Sequence, residues 1–160
     1  MQKTILITGT SSGFGHDTAL ALAASGHKVF AGMRDIAGRN QIIAETFRAM
    51  AIEPVTLDVT DDASVDAAVA AVLAKSGGKL DVVINNAGIA SAGVSEAFTP
   101  EQVRALYEVN VFGVQRVLRA ALPTLRSHGD GLVINIGSIL GRVTFPFFGH
   151  YGASKFAVEA

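Results

Sequence analysis

Five short, largely apolar runs are spaced along the chain, and segments with helical periodicity lie between them. The runs cover residues 4–7, 28–31, 54–57, 82–84 and 132–136. They do not alternate apolar and polar positions, which is typical of parallel strands that are buried on both faces. Because parallel strands need crossover helices, the pattern predicts an α/β fold with a doubly wound parallel sheet.

Two of the intervening helices carry start signals. Residues 64–75 place apolar side chains on one face, and Thr60 is the predicted N-cap of this helix. A longer helix is predicted over residues 100–127, with Thr99 as N-cap and Gln102 at the capping-box position.

The long helix carries one polar residue on its apolar face. Asn110 falls on a stripe traced by Val103, Tyr107, Val114, Leu118 and Ala121. A buried amide that is left unpaired costs about 1–3 kcal/mol, so Asn110 must have hydrogen-bond partners. Two interpretations stay open: a structural asparagine that bonds backbone, or an active-site residue that holds water beside a catalytic group.

A glycine-rich loop follows the first run. Residues 8–15 read TGTSSGFG and lead into a helical stretch. Gly9 permits a tight turn, and Gly13 and Gly15 let the backbone approach a pyrophosphate at the helix N-terminus. An ordinary glycine-rich turn is the alternative. The order of strand, loop and helix favours the phosphate-binding interpretation.

Polar residues follow the second, third and fourth runs, at the sheet edge where ligands bind in open α/β folds. Arg34 suits the 2′-phosphate of NADP, although a solvated surface arginine fits equally well. Asp35 could instead serve as the ribose-binding carboxylate of an NAD protein. Asp58 follows the third run, and residues 85–88 (NNAG) follow the fourth, where the asparagines bind a ligand, cap backbone, or do both.

The fifth run ends near Ser138, and Tyr151 and Lys155 begin a helical segment. Residues four apart share one helix face. A nearby cation stabilises a phenolate, which is the direction that acid–base catalysis by a tyrosine requires. Ser138, at a strand end, is placed to donate to a substrate oxygen.

Composition excludes several classes of protein. Apolar residues make up 49% and charged residues 17%, with a net charge of -1, so neither a disordered chain nor a nucleic-acid or polybasic membrane surface is expected. There is no cysteine, and the four histidines lack ligand spacing, so no metal site is expected. Without an apolar run of signal or membrane-spanning length, the expected location is cytoplasmic.

Together these motifs resemble the one-domain branch of the short-chain dehydrogenase/reductase family. Residues 8–15 match its glycine-rich motif, with Phe14 where an isoleucine is usual. Six further matches follow in order and spacing, at Asp58, residues 85–88, Asn110, Ser138, Tyr151 and Lys155. The resemblance covers essentially the whole chain. It implies a single NAD(P)-binding Rossmann-type domain over residues 1–160.

The family implies a role for each matched residue. Tyr151 would be the general acid in reduction and the base in oxidation, and Lys155 would activate it and bind the nicotinamide ribose. Ser138 would orient the carbonyl, and Asn110 would hold a water in a proton relay. Cofactor contacts are expected from Gly9, Ser11, Ser12, Gly13, Phe14, Gly15, Arg34, Asp58, Val59, Asn86, Ala87, Gly88, Tyr151 and Lys155.

The expected reaction is reversible hydride transfer between NADP(H) and a ketone or secondary alcohol. Arg34 lies where NADP-preferring members carry a basic residue, whereas Ser12 lies where many of them have a second one, so NAD(H) stays open. The substrate is expected to be a small carbonyl or alcohol compound, with no nucleic-acid or membrane partner. Phe145, Phe147 and Phe148 form either an apolar pocket wall or part of the core.

Family members continue beyond the position of Ala160 through two more strands and a substrate-covering loop, so a C-terminally truncated form is expected. This leaves a non-catalytic nucleotide-binding or oligomerising fragment as an alternative. An epimerase or dehydratase is disfavoured by the glycine spacing. The long helix carries more apolar surface than one sheet face covers, which predicts a homodimer or homotetramer.

Overall fold

The computed structural model describes all 160 residues and contains one five-stranded parallel sheet in the order β3-β2-β1-β4-β5. The strands are β1 (Thr4–Thr8), β2 (Lys28–Met33), β3 (Glu53–Thr56), β4 (Val82–Asn85) and β5 (Leu132–Asn135). The doubly wound prediction is confirmed. The strand order reverses between β1 and β4, and a crevice for ligands opens at such a point.

The chain forms six helices, of which four pack on the two faces of the sheet. The six are α1 (Gly13–Ala24), α2 (Gln41–Ala49), α3 (Asp62–Ser76), α4 (Pro100–Tyr107), α5 (Gly113–His128) and α6 (Gly149–Glu159). α1 and α2 bury a ten-residue cluster that includes Ala19 and Phe47, and α3 and α5 bury a fourteen-residue cluster on the opposite face. α2 had no counterpart among the predicted elements.

The predicted helix over residues 100–127 is interrupted. A π turn, Glu108–Phe112, separates α4 from α5, and the N–H of Gly113 donates to the carbonyl of Glu108 across five residues. The widened turn shifts the buried row, which runs through Leu106, Asn110, Gly113, Val117, Ala121 and Leu125. The predicted stripe was therefore correct at Asn110 and Ala121, whereas its other four members are only half-buried.

The start of α3 also differs from its prediction. Asp61, not Thr60, is the N-cap, and its carboxylate accepts the N–H groups of Ala63 and Ser64. A carboxylate at this position is also stabilised by the positive end of the helix dipole. The Thr60 hydroxyl donates instead to Asp58. At α4, by contrast, the capping box of Thr99 and Gln102 is confirmed.

β5 is not buried on both faces as its apolar sequence suggested. It pairs with β4 alone and forms an edge of the sheet. Three of its four residues are exposed, among them Leu132 at 51%. The edge position is not the cause, because β3 also has one neighbour and yet buries Pro54 and Val55. The prediction failed because an apolar run shows what a strand can bury but not whether helices cover its faces.

Candidate active site

The glycine-rich loop lies tightly against the end of β4. Gly9 has φ +71°, and a Cβ there would stand 2.7 Å from the Cα of Ala87. A side chain on Gly15 would collide with the Asn86 amide and the Gly9 carbonyl. The loop is also fastened to β2, because the N–H and the hydroxyl of Thr10 donate to the Gly32 carbonyl at 3.1 and 3.2 Å. Close packing against β4 and hydrogen bonds to β2 thus fix the loop.

Asn86 holds this arrangement from the β4 side. Its Nδ2 donates to the carbonyls of Thr8 and Gly9 at 2.9 and 3.0 Å. The backbone N–H groups of Asn86 and Ala87 both donate to Thr8 Oγ1. The backbone-capping interpretation of the asparagine is therefore confirmed, and Asn86 also lines the cleft described next.

A cleft of about 680 Å³ opens at the carboxyl ends of the strands. Ten of the predicted cofactor contacts line it: Gly9, Ser11, Ser12, Phe14, Arg34, Asp58, Val59, Asn86, Ala87 and Gly88. The other four, Gly13, Gly15, Tyr151 and Lys155, do not. Ser12 is the N-cap of α1 and makes no side-chain capping bond, so the first N–H groups of this helix stay free for an anion.

Two arginines line the cleft beyond the end of β2. Neither Arg34 nor Arg39 forms an ion pair. Asp35 does not line the cleft, because its carboxylate accepts the N–H of Arg39 at 2.9 Å within its own turn. Asp35 has φ +49°, and a side chain on Gly38 would overlap its carboxylate. The turn therefore removes the carboxylate from the cleft and leaves the two guanidinium groups there.

Arg39 and its neighbour Asn40 were missed by the sequence interpretation. The sequence feature that could have identified them is the segment Asp35–Asn40. In this segment an aspartate caps a turn that contains a glycine, and the turn brings the chain back to the cleft. The side chains of Met33, Leu57, Ile89 and Val109 complete the cleft lining.

Asp58 carries the only carboxylate in the cleft lining. Burial, the largest single effect, would raise its pKa, but the hydrogen bonds from the N–H and hydroxyl of Thr60 and the charges of Arg34 and Arg116 together outweigh burial. The pKa of Asp58 is therefore held below its ordinary value. The group is a stable anion and hydrogen-bond acceptor at neutral pH.

Asn110 is buried and makes three hydrogen bonds. Its Oδ1 accepts the Ile89 N–H at 2.9 Å, and its Nδ2 donates to the Ile89 carbonyl at 2.9 Å and to Ser154 Oγ at 3.0 Å. The interpretation that it bonds backbone is confirmed. Oδ1 also lies 3.4 Å from the point that a Cβ on Gly88 would occupy, and Lys155 Nζ lies 3.6 Å from the same point.

α6 places Tyr151 and Lys155 one turn apart on one face. Lys155 is 6% exposed, and its Nζ donates to the Ile136 carbonyl at 2.9 Å. Burial lowers the pKa of Lys155, and the charge of Glu159 opposes this only in part.

Ser138 precedes a 3₁₀ turn, and its Oγ accepts the Leu140 N–H at 3.1 Å, which leaves its own O–H free to donate.

The three phenylalanines before Tyr151 do not form part of the core. Phe145 and Phe147 are 57% and 62% exposed, and Phe147 has φ +69°. Phe148 is half-buried, with its ring edge-on to Tyr151 at 6.5 Å between centroids. Core packing is therefore wrong for the first two, whereas the pocket wall stays a prediction.

Comparison with known proteins bears on this site. The model of the short chain dehydrogenase family matches residues 3–160. A 3-ketodihydrosphingosine reductase from Bacteroides thetaiotaomicron is 41% identical over 157 residues, which are 98% of this chain and 55% of that protein. Human 17-beta-hydroxysteroid dehydrogenase type 1 is 39% identical over 166 residues, covering 99% of this chain and 49% of its own length. The chain thus spans about half the length of these curated relatives.

Solved structures superpose closely on the chain. A gluconate 5-dehydrogenase from Burkholderia cenocepacia in complex with NADP and tartrate superposes with a TM-score of 0.89 at 32% identity, over 99% of this chain and 62% of that one. A short chain dehydrogenase/reductase from Burkholderia phymatum in complex with NAD gives 0.90 at 30% identity, over 99% and 57%. None of the helices has the length and apolarity needed to cross a membrane.

Proposed function

The chain belongs to the short-chain dehydrogenase family, and on that premise we propose that residues 1–160 bind NADP(H) and catalyse reversible hydride transfer with a ketone or secondary alcohol. The observation that carries the proposal lies at Gly88. This residue lines the dinucleotide-sized cleft, and a Cβ added to it would lie in van der Waals range of Asn110 Oδ1 and Lys155 Nζ. The cleft in which we propose that the dinucleotide binds and the residues that we propose for proton transfer are thus neighbours at Gly88.

The cleft fits a nicotinamide dinucleotide on its own geometry. A Cβ on Gly9 would lie 2.7 Å from the Cα of Ala87, so only glycine fits at this turn of the loop. Without a side chain there, the loop presents its backbone to a pyrophosphate. The free N–H groups at the start of α1 suit that anion. We assign the adenosine end to the side of the cleft bearing Arg34 and Arg39, which favours the 2′-phosphate of NADP over the diol of NAD.

When bound, the nicotinamide supplies or accepts the hydride. In reduction, the Tyr151 hydroxyl gives its proton to the carbonyl oxygen as the carbonyl carbon gains hydride, and in oxidation the phenolate takes the alcohol proton. The Lys155 ammonium stabilises that phenolate. The free O–H of Ser138 orients the substrate oxygen, and Asn110 holds the backbone of Ile89 beside Lys155.

We assign an apolar substrate to this site. Val143, Phe145 and Phe147 expose large apolar surface on the segment between Ser138 and Tyr151. Two of the relatives are named for a ketodihydrosphingosine and a hydroxysteroid, which are bulky apolar molecules that carry a ketone and a hydroxyl group, respectively. The exposed phenyl rings support a substrate of this class.

Self-association through α5 accompanies this function in our proposal. Val114, Leu118 and Leu122 recur every four residues on α5, and all three keep part of their surface exposed. We expect light scattering to give at least a dimer mass, and Leu118→Glu to give a monomer. A monomer before any substitution would contradict this part of the proposal.

The experiment that tests the function compares the only two tyrosines of the chain. NADPH oxidation is measured with a panel of apolar ketones for Tyr151→Phe and for Tyr107→Phe, which alters a half-buried tyrosine on α4. We expect Tyr151→Phe to reduce turnover at least about 100-fold with NADPH affinity unchanged, and Tyr107→Phe to leave turnover nearly unaltered. Equal turnover in both variants would remove the mechanism. NADPH binding without turnover in the unaltered chain would favour a nucleotide-binding module.

A further inference from the structure

Arg116 on α5 connects three parts of the molecule outside the catalytic group. Its side chain is 21% exposed. Nε donates to Asp62 at the start of α3, and Nη2 donates to the Glu108 carboxylate, both at 2.7 Å. Nη1 lies 3.3 Å from two backbone oxygens, those of Val59 and Glu108. One guanidinium therefore joins α3, the loop after β3 and the π turn.

Both backbone oxygens belong to positions that shape the site. Val59 lines the cleft. The Glu108 carbonyl also accepts the Gly113 N–H, so it is the acceptor of the five-residue bond that widens the π turn. Asn110 lies within that turn and holds Ile89 by two hydrogen bonds. Arg116 thus contacts the cleft lining and the turn that aims Asn110.

The same two places are also in direct contact. A Cβ on Gly113 would lie 2.9 Å from the Cβ of Val59, so the start of α5 rests directly on the loop after β3. Because the packing is close, a polar group that holds both places keeps the position of Val59 and that of the π turn dependent on each other.

We propose that Arg116 is a positioning residue, which fixes the Val59 side of the cleft relative to the π turn and so couples dinucleotide binding to the hydrogen bonds of Asn110. The inference rests on the proposed function. A planar fork with several donors serves two carboxylates and two carbonyls at once, whereas a lysine ammonium in the same place reaches fewer of them.

The test uses Arg116→Gln and Arg116→Lys, with Arg119→Gln as the matched control. Arg119 is an exposed arginine on the same helix that forms no ion pair. Hydrogen exchange is followed at the Ile89 amide, which is bonded to Asn110, and at the amide of buried Leu6 in β1 as a reference for global unfolding. Each variant is also titrated with NADPH.

In Arg116→Gln we expect the ratio of exchange rates, Ile89 over Leu6, to rise about tenfold and the Kd for NADPH to rise about tenfold. Arg116→Lys, which keeps the charge and the fold, should show both changes to a smaller degree, and Arg119→Gln should show neither. An unchanged ratio, or unchanged NADPH affinity, in either Arg116 variant would make Arg116 merely structural. If the unaltered chain binds no NADPH, the proposed function itself fails, so the two failures are distinguishable.

Discussion

The carboxyl edge of the sheet is built differently at its two sides. Around β1 every strand residue is buried, and the glycine-rich loop is fixed by Asn86, Thr8 and Thr10 through several short hydrogen bonds to backbone. Around β5 only Val133 is even half-buried. There Lys155 is held by the one carbonyl of Ile136.

The difference shows what fixes each kind of site. The β1 side, where we propose that the nucleotide binds, is shaped by close packing of backbone, so its geometry follows from glycines at a few positions. The β5 side, where we propose that the reaction takes place, lies at a sheet edge, and its geometry follows from a few hydrogen bonds between distant residues. Substitutions should therefore cost stability and binding on the first side, and chemistry or its pH dependence on the second.

The largest effect on stability is expected from Gly9→Ala, with Gly13→Ala as control. Both glycines have positive φ, but a Cβ on Gly9 meets the Ala87 backbone, whereas one on Gly13 has open space within 4 Å. Gly9→Ala should cost about 3 kcal/mol or more in unfolding free energy and abolish NADPH binding, against about 1 kcal/mol for Gly13→Ala. Urea unfolding measures both, and equal costs would contradict the close-packing account.

Arg34→Gln and Arg39→Gln should change nucleotide choice without changing stability. In our proposal each arginine donates a charge-assisted hydrogen bond to the 2′-phosphate, so the Kd for NADPH should rise about tenfold in each variant while that for NADH stays within about twofold. Arg48→Gln, an exposed arginine in the last turn of α2, is the control. If the Kd values for NADPH and NADH rose by the same factor, the arginines would not bind the 2′-phosphate.

Lys155→Met tests the other side of the comparison through pH. Burial lowers the pKa of Lys155 in the folded chain, so the unfolded chain binds more protons between that lowered pKa and the ordinary value near ~10.5. Folding stability should therefore rise with pH across this window, and Lys155→Met should remove the rise. If the pH dependence of folding stability were the same in the variant and the unaltered chain, burial would not lower the pKa of Lys155.

The smallest effect is expected from Thr60→Val, which removes one hydrogen bond to Asp58. Because the folded pKa of Asp58 is lowered, its contribution to stability is present above about pH 4 and is lost as pH falls through the folded pKa. Thr60→Val should lower stability at pH 7 slightly and leave stability below the folded pKa of Asp58 nearly unchanged, so that the acid-side dependence becomes weaker. Denaturant unfolding of the unaltered chain and of the variant, at pH 7 and below about pH 4, checks this prediction. An equal loss of stability with falling pH in the two proteins would contradict it.

Sequence reasoning predicted the sheet, the glycine-rich loop and ten of the cleft residues, because strand ends and glycine spacing are local signals. It missed Arg39, whose place depends on the turn capped by Asp35. It also missed the π turn, since the sequence of α4 and α5 reads as one helix and only the contacts of Asn110 and Gly113 reveal the widened bond. The exposure of β5 depends on which helices cover its two faces, which a hydrophobic pattern does not contain.

The measurement that tests the central claim most directly is a parallel equilibrium titration of the unaltered chain with NADPH and NADH. The cleft lies on the close-packed side of the sheet, with Arg34 and Arg39 free of ion pairs, and we propose that the dinucleotide binds there. We predict saturable binding of both, with NADPH bound at least about tenfold more tightly. Absence of binding, or tighter binding of NADH, would contradict the account.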